Sequence, residues 1–311
     1  MSTVSKCIFK LGVTASTQKA LKKPMPSTSV ALCTYNGERF LQIQLDSLAA
    51  QSILPGELLI CDDASTDGTL LILENFSKTA PFPVRIFSNK RNLGYVKNFE
   101  QAISLCTNEI IFLCDQDDYW EIKKIESVLN TFEAEPDVGM VLHGFSKIDF
   151  SGNPYVFEEE WSQDGKLPKE FLQDELIRNS IKVFVSPSSR AWCGCMTAFR
   201  NIFTKVIIPI YPGKGHDDWI LKIIAPFSEI RFNSESLIRY RIHDSNINSH
   251  ELVPKTFSVL LKRFFSKLHR ARKGYSKSNF YRSIIERVNQ SDLELRHPEL
   301  LKFYKNYIKF F

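Results

Sequence analysis

From residue 29 the chain alternates short apolar runs with longer segments in which apolar residues recur every three or four positions. The runs at 29–35, 57–62, 84–88, 109–114 and 138–143 are bounded by polar turns, which predicts five strands. Segments 38–51, 67–78, 94–105 and 121–132 carry helical spacing; in the third, Val96, Phe99 and Ile103 stand at i, i+3 and i+7. Strand–helix alternation of this length predicts right-handed crossovers and an α/β fold with a mostly parallel central sheet. Ligands of such sheets lie beyond the carboxyl ends of the strands. The most polar residues fall there: Thr34-Tyr35-Asn36-Gly37 after the first strand, Asp62-Asp63-Ala64-Ser65 after the second, and Asp115-Gln116-Asp117-Asp118 after the fourth.

After about residue 151 the periodicity weakens. Residues 153–169 read as loop, 186–200 and 209–219 as irregular site-forming segments, and mixed elements follow to 247. Three regions result: a basic N-terminal extension (1–27), the α/β body (28–250) and a basic, amphipathic, helical C-terminal region (251–311).

Charge sharpens this division. Residues 1–25 hold five lysines and no acid (+5), residues 26–253 hold 21 basic and 31 acidic groups (−10), and residues 254–311 hold 14 basic and four acidic groups (+10). An acidic body with basic ends excludes a nucleic-acid binder, whose cations would line the body itself, but allows a tail on a membrane surface. No run approaches the roughly 18 apolar residues of a membrane span, and the first 26 residues lack the apolar core of a signal peptide. Of seven cysteines, Cys33, Cys61 and Cys114 lie inside buried-type strands, where cysteine serves as a small hydrophobe. Cys193-Gly194-Cys195 is too short a pair to make a zinc site alone, and no sequence cluster completes it. This usage suits a reducing cytoplasm.

Asp115-Gln116-Asp117-Asp118 is the central chemical signal. Hard oxygen donors on alternate residues after a strand can hold Mg²⁺ or Mn²⁺, with diphosphate oxygens and water completing the shell. Acids also gather at helix starts by default, and Asp118 could cap the helix carrying Ile122 and Ile125. A second acidic strand end at Asp62 and Asp63 strengthens the metal and nucleotide reading, because carboxylates there can accept bonds from a nucleobase imide or ribose hydroxyls. Ser65, Thr66 and Asp67 suit the start of the next helix, a structural role favoured for Thr66 and Asp67. No glycine-rich phosphate loop of the dinucleotide-binding or P-loop type occurs.

Val30-Ala31-Leu32-Cys33-Thr34-Tyr35-Asn36-Gly37, Leu59-Ile60-Cys61-Asp62-Asp63-Ala64-Ser65-Thr66-Asp67-Gly68-Thr69 and Leu113-Cys114-Asp115-Gln116-Asp117-Asp118-Tyr119-Trp120 resemble, in this order and spacing, the family 2 glycosyltransferases of the GT-A fold. Asn92-Leu93-Gly94 is similar to that family as well, and the resemblance covers about 28–250. The Asp-Gln-Asp-Asp-x-Trp form resembles rhamnosyltransferase-type members that build bacterial surface polysaccharides.

The resemblance implies inverting, metal-dependent transfer from a nucleotide diphosphate sugar, of the dTDP or UDP kind, to a saccharide or lipid-linked acceptor. By position, Asp63 would bind the pyrimidine base with Ala31 and Tyr35 flanking it and Thr34 on the same edge. Asp115 would contact ribose or metal-bound water, and Asp117 the metal. The acidic base falls in Gly215-His216-Asp217-Asp218-Trp219, where the family's Glu-Asp-Trp form is altered: one register selects Asp217, which is favoured, the other Asp218. His216 reads chiefly as a loop histidine. Within Arg239-Tyr240-Arg241-Ile242-His243, which resembles the end of the catalytic domain, His243 is a candidate ligand or phosphate contact. Trp192 and Gly194 are candidates for the acceptor side. A nucleotidyltransferase and a non-catalytic nucleotide-sugar scaffold are the rival classes; the first lacks its basic, glycine-rich N-terminal loop.

In the C-terminal region Phe257, Leu260, Leu261, Phe264, Phe265 and Leu268 form one helical stripe flanked by Lys262, Arg263, Lys267 and Arg270. Together with Phe303, Tyr304, Tyr307, Phe310 and Phe311, this predicts peripheral attachment to an anionic membrane, on the cytoplasmic face. Packing of the stripe on the body is the alternative.

Overall fold

The structure, a computed structural model, describes residues 25–155, 193–243 and 277–309. Four parallel strands form its first half: β1 (Thr28–Thr34), β2 (Glu57–Asp62), β3 (Val84–Ser88) and β4 (Ile110–Cys114). They stand in the order β3-β2-β1-β4. Their continuous apolar runs follow from burial on both faces. Ala31, Cys33, Leu59, Cys61, Ile111 and Leu113 enter one core layer, while Val30, Leu32, Leu58, Ile60 and Phe112 enter the other.

Helices α1 (Leu41–Ala49), α2 (Thr69–Thr79) and α4 (Lys124–Ala134) close one face with Leu45, Leu73, Phe76, Ile125 and Leu129. Helix α3 (Tyr95–Leu105) and helix α5 (His216–Ile224) cover the other with Phe99, Ile103, Ile220 and Ile223. The predicted helices are recovered within a few residues. The fourth starts three residues later than expected, because a turn at 121–123 separates it from a short strand, β5 (Tyr119–Trp120).

Beyond β4 the sheet becomes mixed, extending the order through β7-β6-β8-β5. Here β6 is Val138–Ile148, β7 is Thr197–Arg200 and β8 is Glu229–Arg241. Strand β7 runs antiparallel to both β4 and β6, while β8 runs parallel to β6 with register shifts. The expectation of a mostly parallel sheet therefore holds for the half carrying the strand-end motifs. Strand β7 lies in a stretch read as irregular; its four residues are too few for a period to register.

Helices α6 (Lys277–Asn289) and α7 (Pro298–Ile308) belong to the core. Phe280, Ile284, Leu300 and Tyr304 are at most 1% exposed and pack with α5. Arg296 pairs with Glu229 at 2.9 Å and Asp137 at 3.0 Å, pinning the region to the start of β8. Tyr304 thus packs inside the protein, which corrects its reading as a membrane-inserting group, while Phe303 and Tyr307 lie half-buried against the same core. The stripe at 257–268 and Phe310 and Phe311 lie outside the described residues. Among the described residues, no helix is long and apolar enough to cross a membrane.

Candidate active site

The carboxyl ends of β1, β2 and β4 converge as the strand order requires, and side-chain hydrogen bonds sew their loops together. Tyr35 N–H donates to Gln116 Oε1 at 2.8 Å, and Gln116 Nε2 donates back to the Tyr35 carbonyl at 3.1 Å. A methyl group on Gly37 would overlap Gln116, so only glycine admits this latch. Asn36 accepts from Thr66 N–H at 2.8 Å, and Glu38 accepts from Gly68 N–H at 2.7 Å. Asn36 and Ala64 hold φ of 48° and 62°, left-handed values uncommon for non-glycine residues and sustained by this network.

Asp62 and Asp63 divide the work at the end of β2. Asp62 is buried and accepts from Thr34 Oγ1 at 2.9 Å and Ser65 N–H at 3.0 Å. Asp63 is 2% exposed; Oδ1 accepts from Asn89 Nδ2 at 2.9 Å and Leu93 N–H at 2.8 Å, and Oδ2 accepts from Gly94 N–H at 2.8 Å. It anchors the loop into α3, and Gly94 takes φ 83° to present its N–H. Tyr35 stands 48% exposed at the strand end. Ala31 does not reach it: its side chain is fully buried between Leu59 and Leu113, three residues short of Thr34, roughly 10 Å along the strand. Ala31 is a core residue here. Asp67 accepts from Thr69 N–H at 3.0 Å and Glu38 N–H at 3.2 Å, the structural role expected for it.

Three carboxylates follow β4 with distinct fates. Asp117 Oδ2 meets His243 Nε2 at 2.9 Å, with 16% and 7% of their side chains exposed. The two residues assigned to the metal, 126 positions apart, thus come together. Arg241, 3% exposed, donates through Nε to the Asp117 carbonyl at 3.0 Å and steadies that loop. Asp118 is not a helix cap: it is fully buried, its Oδ1 accepts from Arg241 N–H at 3.1 Å, and Lys123 occupies the cap of α4. Asp115 has its pKa pushed up to about 7 by burial first, then by the charges of Asp117 and Asp217. Burial likewise holds Asp118 well above the usual carboxylate range, with Asp117 and Asp115 adding to it. Lys124, fully buried, lies over the Trp120 ring at 3.6 Å and donates to the Cys195 carbonyl at 2.7 Å; burial lowers its pKa to about 8.

Helix α5 delivers Asp217 and Asp218 from its first turn. Asp218 bonds Lys222 and sits 3.9 Å from Lys214, while Asp217 lies close enough to Asp115 to raise its pKa. The two acids therefore differ in company. His216 is buried, stacks on Phe99 at 4.0 Å between ring centroids, and packs against Gly194, where a methyl group would overlap Nε2. Burial lowers its pKa, against the pull of Asp217, so the ring is neutral. Gly194 thereby comes beside α5; Trp192 lies outside the described residues. Gln116, Arg241, Lys124 and Lys222 were not singled out from sequence. Lys222 carried a readable signal, since it stands four residues after Asp218 on one helix face.

Asp117 and His243 present an oxygen and a nitrogen donor in contact, with Asp115 crowded nearby; this set fits a divalent cation such as Mn²⁺ or Mg²⁺.

Residues 29–189 match the family described as glycosyl transferase family 2. An uncharacterized glycosyltransferase of Nostoc sp. is 28% identical over 225 residues, covering 70% of this chain and 65% of its own. The chain thus spans at most 65% of the length of the first curated relatives it matches. A putative teichuronic acid biosynthesis glycosyltransferase of Bacillus subtilis is 24% identical over 247 residues, covering 78% of this chain and 90% of its own. Among solved structures, a mannosyltransferase of Pyrobaculum calidifontis in complex with GDP-Man and Mn²⁺ superposes with a TM-score of 0.56 at 17% identity, covering 92% of this chain and 71% of that one.

Proposed function

Because the chain belongs to glycosyltransferase family 2, we propose that it transfers one sugar, with inversion, from a nucleotide diphosphate donor to an acceptor hydroxyl, with Asp217 as general base. The observation that carries the assignment is the different company of the paired acids: Asp217, whose Oδ1 accepts from Asp218 N–H at 2.8 Å, lies near enough for its charge to act on Asp115, while Asp218 is engaged by Lys222. A base must reach the reacting hydroxyl, and a carboxylate held by a buried ammonium is poorly placed to take a proton.

Tyr35 is free to lie against the donor base, and Asp63 keeps one lone pair on Oδ2 for an imide N–H while holding the 89–94 loop in shape. Thr34 and Asp62 support that edge from below. Asp115 would contact the ribose or a metal-bound water. Asp117 and His243 would hold Mn²⁺ or Mg²⁺, which supplies charge neutralisation and Lewis-acid stabilisation of the leaving diphosphate. Asp217 would take the proton of the attacking hydroxyl, a contribution typically worth ~10² to 10⁴ in rate. Gly194, against His216, would line the acceptor side.

A dTDP- or UDP-sugar, rhamnose among the candidates, is the proposed donor, and a saccharide or lipid-linked glycan of the bacterial surface the acceptor. The Bacillus relative's name supports the polysaccharide setting. Attachment through the 257–268 stripe to the inner face of the plasma membrane would confine enzyme and lipid-linked acceptor to one surface.

The test is thermal stabilisation by a panel of dTDP-, UDP- and GDP-sugars with Mn²⁺, followed by turnover with the best donor. A true donor at about 100 times its Kd should stabilise by about 2.7 kcal/mol. Failure of every nucleotide sugar, or undiminished turnover in excess EDTA, would sink the reading.

A further inference from the structure

The geometry points to a second cation site beneath the proposed catalytic one: Cys195, Asp115 and Asp118 form a thiolate-containing site for a zinc-like metal, distinct from the Asp117–His243 pair. One ligand atom from each of the three residues lies within 4.8 Å of the others. Donors around one tetrahedral zinc stand roughly 3.4 to 3.8 Å apart, so small side-chain rotations would close the set. Asp118 is fully buried, its Oδ1 is taken by Arg241 N–H, and outside the cluster its Oδ2 has no hydrogen-bond partner, the Cys195 thiol being the donor within reach. A buried carboxylate oxygen served only by a weak thiol donor is poorly satisfied, and a cation bound there would satisfy it.

Cys195 is also fully buried, and its thiol lies within hydrogen-bond reach of both carboxyl groups and of the Cys193 thiol. In sequence the Cys193-Gly194-Cys195 pair lacked completing donors. The fold supplies them from the end of β4, about 80 residues away. Charge balance agrees. A thiolate and two carboxylates carry three negative charges, Lys124 contributes one positive charge at the Cys195 carbonyl, and a divalent cation neutralises the remainder.

Ligand softness separates the two sites. The Asp117 carboxylate is the kind of donor that suits Mn²⁺ or Mg²⁺, and that pair holds no sulfur, whereas the Cys195 thiolate selects Zn²⁺ and its soft neighbours. If the proposed role of Asp115 in donor binding is right, occupancy of the thiolate site draws that carboxylate away and inhibits transfer. Binding itself does not rest on that role.

The experiment uses the full chain in a phosphine reductant, with Co²⁺ as the optical probe. A thiolate-to-Co²⁺ charge-transfer band should appear, Zn²⁺ should abolish it, and excess Mn²⁺ should leave it standing. Cys195→Ser should lose the band at an unchanged melting temperature, while Asp117→Asn keeps it. Should Cys195→Ser fail to fold, Asp118→Asn must weaken the band. Absence of the band in the parent protein overturns the inference, as does its survival in folded Cys195→Ser or its undiminished strength in Asp118→Asn. The band is read without donor or acceptor, so it stands or falls apart from the transfer reaction. Inhibition of transfer by Zn²⁺, relieved by chelation, is the functional counterpart.

Discussion

Lys222 reaches back one helical turn to Asp218 and holds it, leaving Asp217 as the acid of the pair without that ammonium bond and near enough for its charge to act on Asp115. Lys222 has 1% of its side chain exposed and Asp218 27%, so the ammonium depends on this partner for its charge. Burial lowers the Lys222 pKa, and Asp218 pulls it back up.

The two acids should therefore fail in different ways. Asp217→Asn should lower turnover by ~10² or more with little change in donor affinity or melting temperature, because a base acts in the transition state. Asp218→Asn should instead destabilise the fold by roughly 2 to 4 kcal/mol, since it strands a buried ammonium. Paired kinetics and urea melts read both effects; a swap of the two phenotypes would reassign the base to Asp218.

Removing the metal or its ligands should converge on one phenotype. Asp117→Asn and His243→Ala should each abolish transfer while the far-ultraviolet circular dichroism stays native, and EDTA should reproduce this in the parent. Mn²⁺ titrations monitored by melting temperature supply the binding readout. A His243→Ala enzyme with parental Mn²⁺ affinity would exclude His243 as a ligand.

Asp115 ties stability to pH. Its folded pKa of about 7 lies above the ordinary aspartate value of 3.8, so the folded state binds the extra proton. Without divalent cation, stability should be highest below the unfolded value and fall as pH rises from about 4 to about 7. Asp115→Asn should flatten this slope and stabilise the metal-free protein at pH 8 by at most about 4 kcal/mol, although transfer is impaired. Chemical denaturation across pH, with and without Mn²⁺, measures the difference; an unchanged slope in the variant would refute the assignment.

Gly37→Ala should break the latch between the β1 and β4 loops by pushing Gln116 off Tyr35, with an overpacking cost of about 1 to 3 kcal/mol. Gln116→Ala should relieve that overlap, so the double variant should be more stable than the two separate losses imply. A double-mutant cycle gives the coupling. Strict additivity would show that the two residues do not interact.

Tyr304→Ala should cost about 3 kcal/mol, because this fully buried ring packs beside Tyr281 and donates to the Lys222 carbonyl at 3.3 Å. Tyr304→Phe should cost only about 1 kcal/mol, the net worth of the hydrogen bond. Neither change should alter flotation with anionic vesicles. A loss of vesicle binding without loss of stability would return this ring to the membrane.

By itself the sequence determined what depends on near neighbours. Doubly buried strands announce themselves as apolar runs, and polar residues collect where those runs stop, so the parallel half of the sheet and its acidic strand ends were legible. The glycosyltransferase resemblance rested on those same local stretches. What only the tertiary structure decided involves partners far apart in the chain, for which no period exists to detect. Asp63 is tied to the loop before α3, His243 to Asp117 across 126 residues, and Arg241 to Asp118 across 123. The resemblance carried Ala31 to the base-binding edge by position, but strands on both sides enclose it. Tyr304 looked ready for lipid because an aromatic stripe reads alike whether it faces a bilayer or a protein core. Burial depends on what the rest of the chain brings to that face, and for Tyr304 it brings α5 and α6.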